Sequence, residues 1–144
     1  MFELTQGEGR YQVRFRVLTA DGNGLVVFIT GGERPHLGGT ALASLPPQGC
    51  GDLSSCDTWD ITLPGHKDKE LARELARKIC LAVGEPVSVN VGIHTDNASG
   101  EEIRYLCSQA GELAERFISQ YIVNKEKTRL TEVVNFYMIL HNLI

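Results

Sequence analysis

Apolar and polar residues alternate near the start of the chain. Tyr11, Val13, Phe15 and Val17 are separated by Gln12, Arg14 and Arg16. A period of two is that of a half-buried strand. Asp21-Gly22-Asn23-Gly24 follows, a run that tolerates positive φ and predicts a tight hairpin. Leu25 to Thr30 (LVVFIT) is apolar on both faces and predicts a central strand. Weaker strand patterns run from Thr40 to Leu45 and from Thr58 to Leu63, on either side of the turn-rich loop PPQGCGDLSSC. The period then changes. Leu71, Leu75, Ile79 and Val83 recur every four residues, with Ala72, Ala76 and Ala82 filling in. This predicts a helix from about Asp68 to Val83, stopped by Gly84 and Pro86. Val87, Val89, Val91 and Ile93 predict one more strand. Ser99-x-x-Glu102 is a capping box that opens a second helix, whose apolar stripe runs from Ile103 to Tyr121.

Lys125 to Arg129 reads as a charged break in that helix. The segment LTEVVNFYMILHNLI beyond it is apolar around most of a helical circumference. It is expected to pack back on the sheet or to form a subunit contact. The expected organisation is one domain over residues 1–124 and an apolar extension over 125–144. The order β-β-β-β-α-β-α predicts an α+β, two-layer fold: an antiparallel or mixed sheet with two helices packed on one face.

The chain has 144 residues, enough for one core, and its composition is that of a globular protein. Its net charge is −4, which argues against a nucleic-acid partner. No apolar run reaches the ~20 residues of a membrane helix. The first residues, MFELTQGEGR, lack the basic and apolar regions of a secretory signal, so a cytoplasmic location is expected. Cys80 and Cys107 fall in helical patterns and read as small buried hydrophobes. Cys50 and Cys56 read as structural thiols, with a bridge or redox pair between them as the alternative.

The unusual residues gather at three element ends. Gly31-Gly32-Glu33-Arg34-Pro35-His36-Leu37-Gly38-Gly39 follows the central strand directly. Paired glycines there can turn N–H groups toward an anion, Arg34 adds a fork of donors, and Pro35 holds His36 extended. Pro64-Gly65-His66-Lys67-Asp68 precedes the first helix, whose start attracts anions. Asp68 itself reads as the N-cap. His94 ends the last strand, with Gly92 leaving room beside it, followed by Asp96 and the turn-forming Asn97. His141, in the apolar tail, reads as structural. The readings open to His36, His66 and His94 are ordinary loop positions, donors to a phosphate or aromatic acid, and ligands of zinc or another divalent ion. The last defines an alternative function, a small metal-dependent enzyme with Asp96 or Glu33 as general base.

Three segments carry a resemblance. ITGGERPHLGG is similar to the T-G-G-x-x-P-H-[IL]-G signature of the LpdD-like prenylated-flavin chaperones, a family that includes small accessory proteins of gallate and related hydroxyarylic acid decarboxylases. PGHKDKELARELA resembles the family's entry into its first helix, and VNVGIHTDN resembles its A-G-I-H-x-[DN] strand end. The segments occur in the family's order within residues 10–120. The resemblance implies a non-catalytic accessory protein that binds prenylated FMN, or FMN, and delivers it to a UbiD-like decarboxylase. It implies partners in the UbiD-like decarboxylase and the flavin prenyltransferase pathway. A homo-oligomer is expected as well. At the matched positions the residues expected to bind cofactor are Gly31, Gly32, Arg34, His36, Gly38, His66, Lys67, His94 and Asn97, and no catalytic residue is expected.

Overall fold

The alternating runs form strands and the four-residue repeats form helices. A computed structural model describes residues 1–47 and 54–141. Its elements are β1 (Phe2–Gln6), a 3-10 turn (Gly9–Tyr11), β2 (Val13–Thr19), β3 (Leu25–Gly32), β4 (Gly39–Ser44), β5 (Asp57–Thr62), α1 (Lys69–Val83), β6 (Val87–His94) and α2 (Gly100–His141). The strands make one sheet in the order β1-β2-β3-β6-β4-β5. β3 and β6 are parallel and every other neighbouring pair is antiparallel. The sheet is therefore mixed, and α1 carries the chain from the β5 edge back to insert β6 at the centre.

One face of the sheet holds the core. Phe15, Val27, Ile29, Val89 and Val91 are fully buried there, against Leu75 and Ile79 of α1 and Leu113 and Phe117 of α2. Both helices lie on this face, which confirms the α+β reading. The strand that the sequence pattern does not foresee is β1. Only Phe2 and Leu4 are apolar in it, too few for a period, and it forms because it completes the edge. Phe2 pairs in register with Val17, and its ring meets Phe117 edge-on with centroids 5.3 Å apart.

The charged break does not exist. α2 runs unbroken for 42 residues, about 63 Å at ~1.5 Å per residue. Lys125 to Arg129 contains neither Gly nor Pro, and Lys, Glu and Arg are good helix formers. The charges interrupt only the apolar stripe. The helix does not pack back on the sheet either, since residues 124–139 are all exposed. Among the described residues no helix is long and apolar enough to cross a membrane.

Cys56 is a buried thiol, free among the described residues; Cys50, the other half of the expected alternative pair, lies outside them. Cys80 is buried as expected, and Cys107 is only partly so. His141 ends α2, and its side chain lies outside the described part.

Candidate functional site

Glycine allows the histidine loop to lie flat on β6. After β3, the chain doubles back across the end of its parallel neighbour. Arg34 N–H donates to His94 O (3.1 Å) and Gly38 N–H to Val91 O (2.9 Å), so the loop is stitched to β6 before it becomes β4. A Cβ on Gly92 would stand 1.8 Å from the His36 carbonyl oxygen, and one on Gly38 would stand 2.0 Å from Asp68 Oδ2. These glycines serve close approach. Gly31 and Gly32 do not form the expected anion nest. Both belong to β3, and the Gly32 N–H is given to Gln12 O (3.1 Å). Gly32 has φ +75°, and a Cβ there would press on the His94 carbonyl.

The three imidazoles meet. The His36 and His66 ring centroids lie 4.8 Å apart, and those of His36 and His94 lie 6.0 Å apart. Each ring has one nitrogen held by an acceptor. His36 Nδ1 lies 2.9 Å from Arg34 O, His66 Nδ1 lies 3.1 Å from Pro64 O, and His94 Nε2 lies 3.0 Å from Asp96 Oδ1. Carbonyl and carboxylate oxygens only accept, so these nitrogens carry the protons. In a neutral ring the second nitrogen is then an acceptor. That of His36, Nε2, is buried without a hydrogen-bond partner among the described residues.

Asp68 stands at the N-cap position of α1, but its side chain does not cap the helix. Its backbone is already helical (φ −66°, ψ −17°), and its side chain makes no cap bond. A capping side chain normally starts from an extended backbone. The carboxylate instead reaches β6, where Oδ1 accepts the Ile93 N–H at 3.2 Å, and Oδ2 stands 3.6 Å from His36 Nε2. The capping box of α2 is formed as expected: Ser99 N–H donates to Glu102 (2.8 Å), and Glu102 N–H donates to Ser99 Oγ (3.2 Å).

Around the imidazoles lies a pocket of about 340 Å³. Its polar side is His36, His66, Lys67, Asp68 and His94; its apolar side is Leu71, Ile93, Ala98, Ile103, Leu106 and Cys107. Of the residues expected to bind cofactor, His36, His66, Lys67 and His94 line it. Gly38 is adjacent, packed on His36 and Asp68. Arg34 stands outside and pairs with Asp96, and Asn97 occupies an exposed left-handed turn position (φ +53°). That turn is clamped: Arg10 donates to Asp96 O (3.1 Å), and the Asp96 N–H donates to Glu33 (2.9 Å). The His94 imidazole, and after it the Arg34 guanidinium, hold the Asp96 carboxyl below the usual carboxylate range. The clamp fixes His94.

The sequence pattern does not reveal the apolar half of the pocket. Leu71 and Ile103 stand in the first turns of α1 and α2, where their spacing makes them part of the core stripes. In the fold those stripes overrun the sheet edge, leaving Ile103 about half exposed at the pocket wall. The metal alternative does not gain a site. Among the described residues no group of three or more His, Cys, Asp or Glu side chains is placed to hold a metal ion. The rings instead pack against one another, tilted by 48° and 77°.

The family model of the prenylated flavin chaperone LpdD-like domain matches residues 7–122. The chain belongs to this family. The match spans every segment that builds the pocket and stops at the point where α2 leaves the core. No curated protein sequence matches the chain. Among solved structures, the chain is similar to one from a chaperone complex for yeast 20S proteasome assembly. The two are 14% identical, with a TM-score of 0.49, and the alignment covers 81% of this chain and 97% of that one.

Proposed function

We propose that the pocket holds one end of a phosphate-bearing prenylated flavin, and that the protein carries this cofactor to a UbiD-like decarboxylase without itself catalysing a reaction. The observation that carries the reading is the convergence of His36, His66 and His94 on a pocket that is polar on one side and apolar on the other. Lys67 suits a phosphate, an imidazole protonated on its second nitrogen would add a donor, and the start of α1 behind them adds a positive dipole end. Leu71, Ile103 and Leu106 suit an apolar ring or prenyl group. His36 Nε2 is buried without a hydrogen bond among the described residues and stands 3.6 Å from Asp68 Oδ2, so a small turn of the ring would bring it to that carboxylate or to a group entering the pocket. At about 340 Å³ the pocket is near the lower end of the ~300–1,000 Å³ typical of ligand sites. It would enclose part of a flavin nucleotide and leave the rest at the surface, as suits a carrier that must release its cargo.

The test is co-expression with a flavin prenyltransferase, followed by mass spectrometry of the small molecules released on denaturation. The expected result is a prenylated flavin nucleotide in near-stoichiometric amount, reduced at least tenfold by His36→Ala or His66→Ala with unchanged circular dichroism. Protein that carries no flavin, and takes up none when FMN or its prenylated form is added, would sink the reading.

A further inference from the structure

The hydrogens of the pocket's polar wall are already spent. The three imidazoles give theirs to Arg34 O, Pro64 O and Asp96 Oδ1. Thr95, also at the wall, gives its hydroxyl hydrogen to Arg10 O at 3.3 Å. A neutral imidazole that donates from one nitrogen keeps only a lone pair on the other. The nitrogens left over are His36 Nε2, His66 Nε2 and His94 Nδ1, and no hydrogen bond among the described residues uses them.

Asp68 adds one more acceptor. Its Oδ1 takes the Ile93 N–H at 3.2 Å, while Oδ2 stands 3.6 Å from His36 Nε2. A charged imidazole on a carboxylate would close to about 2.7–2.9 Å around the hydrogen they share. The wider gap is the spacing of two acceptors with no hydrogen between them, and the His36 atom is buried at it.

Such a wall recognises donors. A phosphate brings acceptor oxygens and negative charge, so it meets lone pairs at the imidazoles and like charge at Asp68. Lys67 is the lining residue that suits it. The imide N–H of a flavin ring sits between two carbonyls, which the same lone pairs repel. The ribityl chain differs from both: it carries hydroxyls in series, each able to donate, and it joins directly to the phosphate. We propose that His36, His66, His94 and Asp68 hold the ribityl hydroxyls of the flavin, with the phosphate beside them at Lys67. The inference rests on the cofactor reading above and orients the cargo within it.

Asp68→Asn separates this arrangement from a phosphate held by the imidazoles. The amide can keep its oxygen on the Ile93 N–H and turn its NH2 to His36 Nε2, which uses up two acceptors and removes a negative charge. Hydroxyls should then bind less tightly, and a phosphate more tightly. His66→Phe is the second variant: it keeps a ring packed on His36 and loses the acceptor. The experiment is titration of the ligand-free full chain with the prenylated flavin nucleotide recovered from co-expression. The same flavin is tested after phosphatase treatment, and again after acetylation of its hydroxyls. Phosphate removal should weaken binding by no more than about fivefold, the worth of an exposed ion pair. Acetylation should weaken it at least tenfold. Asp68→Asn and His66→Phe should each weaken both hydroxyl-bearing forms about tenfold, with native circular dichroism. Tighter binding of the nucleotide by Asp68→Asn overturns the proposal. So does a loss on phosphate removal that exceeds the loss on acetylation, or an acetylated flavin bound as tightly as the free one. In those cases flavin still binds, so the cofactor reading stands. A wild-type chain that takes up none of the three forms overturns both.

Discussion

A single methylene separates a scaffold glycine from a site glycine. Gly92 meets backbone: an added Cβ would stand 1.8 Å from His36 O and 2.4 Å from its carbonyl carbon, so the whole 33–38 loop would have to lift from β6. Gly38 meets the far ends of side chains, Asp68 Oδ2 and His36 Nε2. Those can swing aside. Gly92→Ala should therefore cost stability, about 1–3 kcal/mol for overpacking, as well as ligand retention. Gly38→Ala should leave the denaturant midpoint nearly unchanged and still weaken flavin retention, because it displaces the two groups at the pocket's polar end. Equal losses of stability in the two variants would contradict this division. Much of this scale was legible in the sequence. Three histidines at element ends, each beside a glycine, announced a convergence. Their hydrogen bonds were not legible, because they depend on which strands become neighbours. Asp68 looks like a cap in one dimension. It becomes a strand-to-helix tie only once β6 lies beside β4.

At the scale of elements, one buried acid ties α2 to the β2–β3 hairpin beyond its apolar packing. Glu85 follows the Gly84 end of α1 and is 2% exposed. Its carboxylate accepts from Tyr121 Oη (2.9 Å), Lys125 Nζ (2.7 Å) and the Gly24 N–H (3.2 Å), joining the β2–β3 hairpin to α2. Burial, and then the Glu85 carboxylate, push the Tyr121 hydroxyl from 10.0 up to about 12. The native state thus keeps this proton at a pH where the unfolded chain has lost it. Stability from this source is complete below about pH 10 and falls as pH rises toward 12. Thermal melts should show that decline, and Tyr121→Phe should flatten it. The same variant should lose about 1 kcal/mol at neutral pH, the usual worth of one hydrogen bond. An alkaline decline equally steep in the variant would show that other groups cause it. The sequence pattern located these elements well, since a period of two or of four is a property of the segment alone. It could not assign Glu85, an acid between a helix stop and a proline, because the partners that neutralise its burial come from 36 and 40 residues away. β1 escaped for a related reason: its pairing with β2 outweighs its weak pattern.

At the scale of the molecule, the core ends before the helix does. Phe117 and Tyr121 are the last buried side chains of α2, and Lys125 is the last to touch the body of the protein among the described contacts. From there the helix continues with Leu130, Val133, Val134, Phe136, Tyr137, Met138 and Ile139 all exposed. A helix gains most of its stability in a protein from burying a face, and this stretch buries none. Removing residues 126–144 should therefore change the melting temperature by no more than about 2 °C, where ~1 kcal/mol would shift it by roughly 2–8 °C in domains of this size range. It should leave flavin retention intact, because every pocket residue lies between 36 and 107. It should also reduce aggregation, since a contiguous apolar surface of this kind drives non-specific association. Ending the chain at Asn124 instead deletes Lys125 as well and leaves Glu85 without its cation. That form should be measurably less stable than the one ending at Lys125. If the two truncations melt together, the Glu85–Lys125 pair is not what fastens α2. If both melt far below the full chain, the exposed helix is contributing stability through a contact that a single copy does not contain.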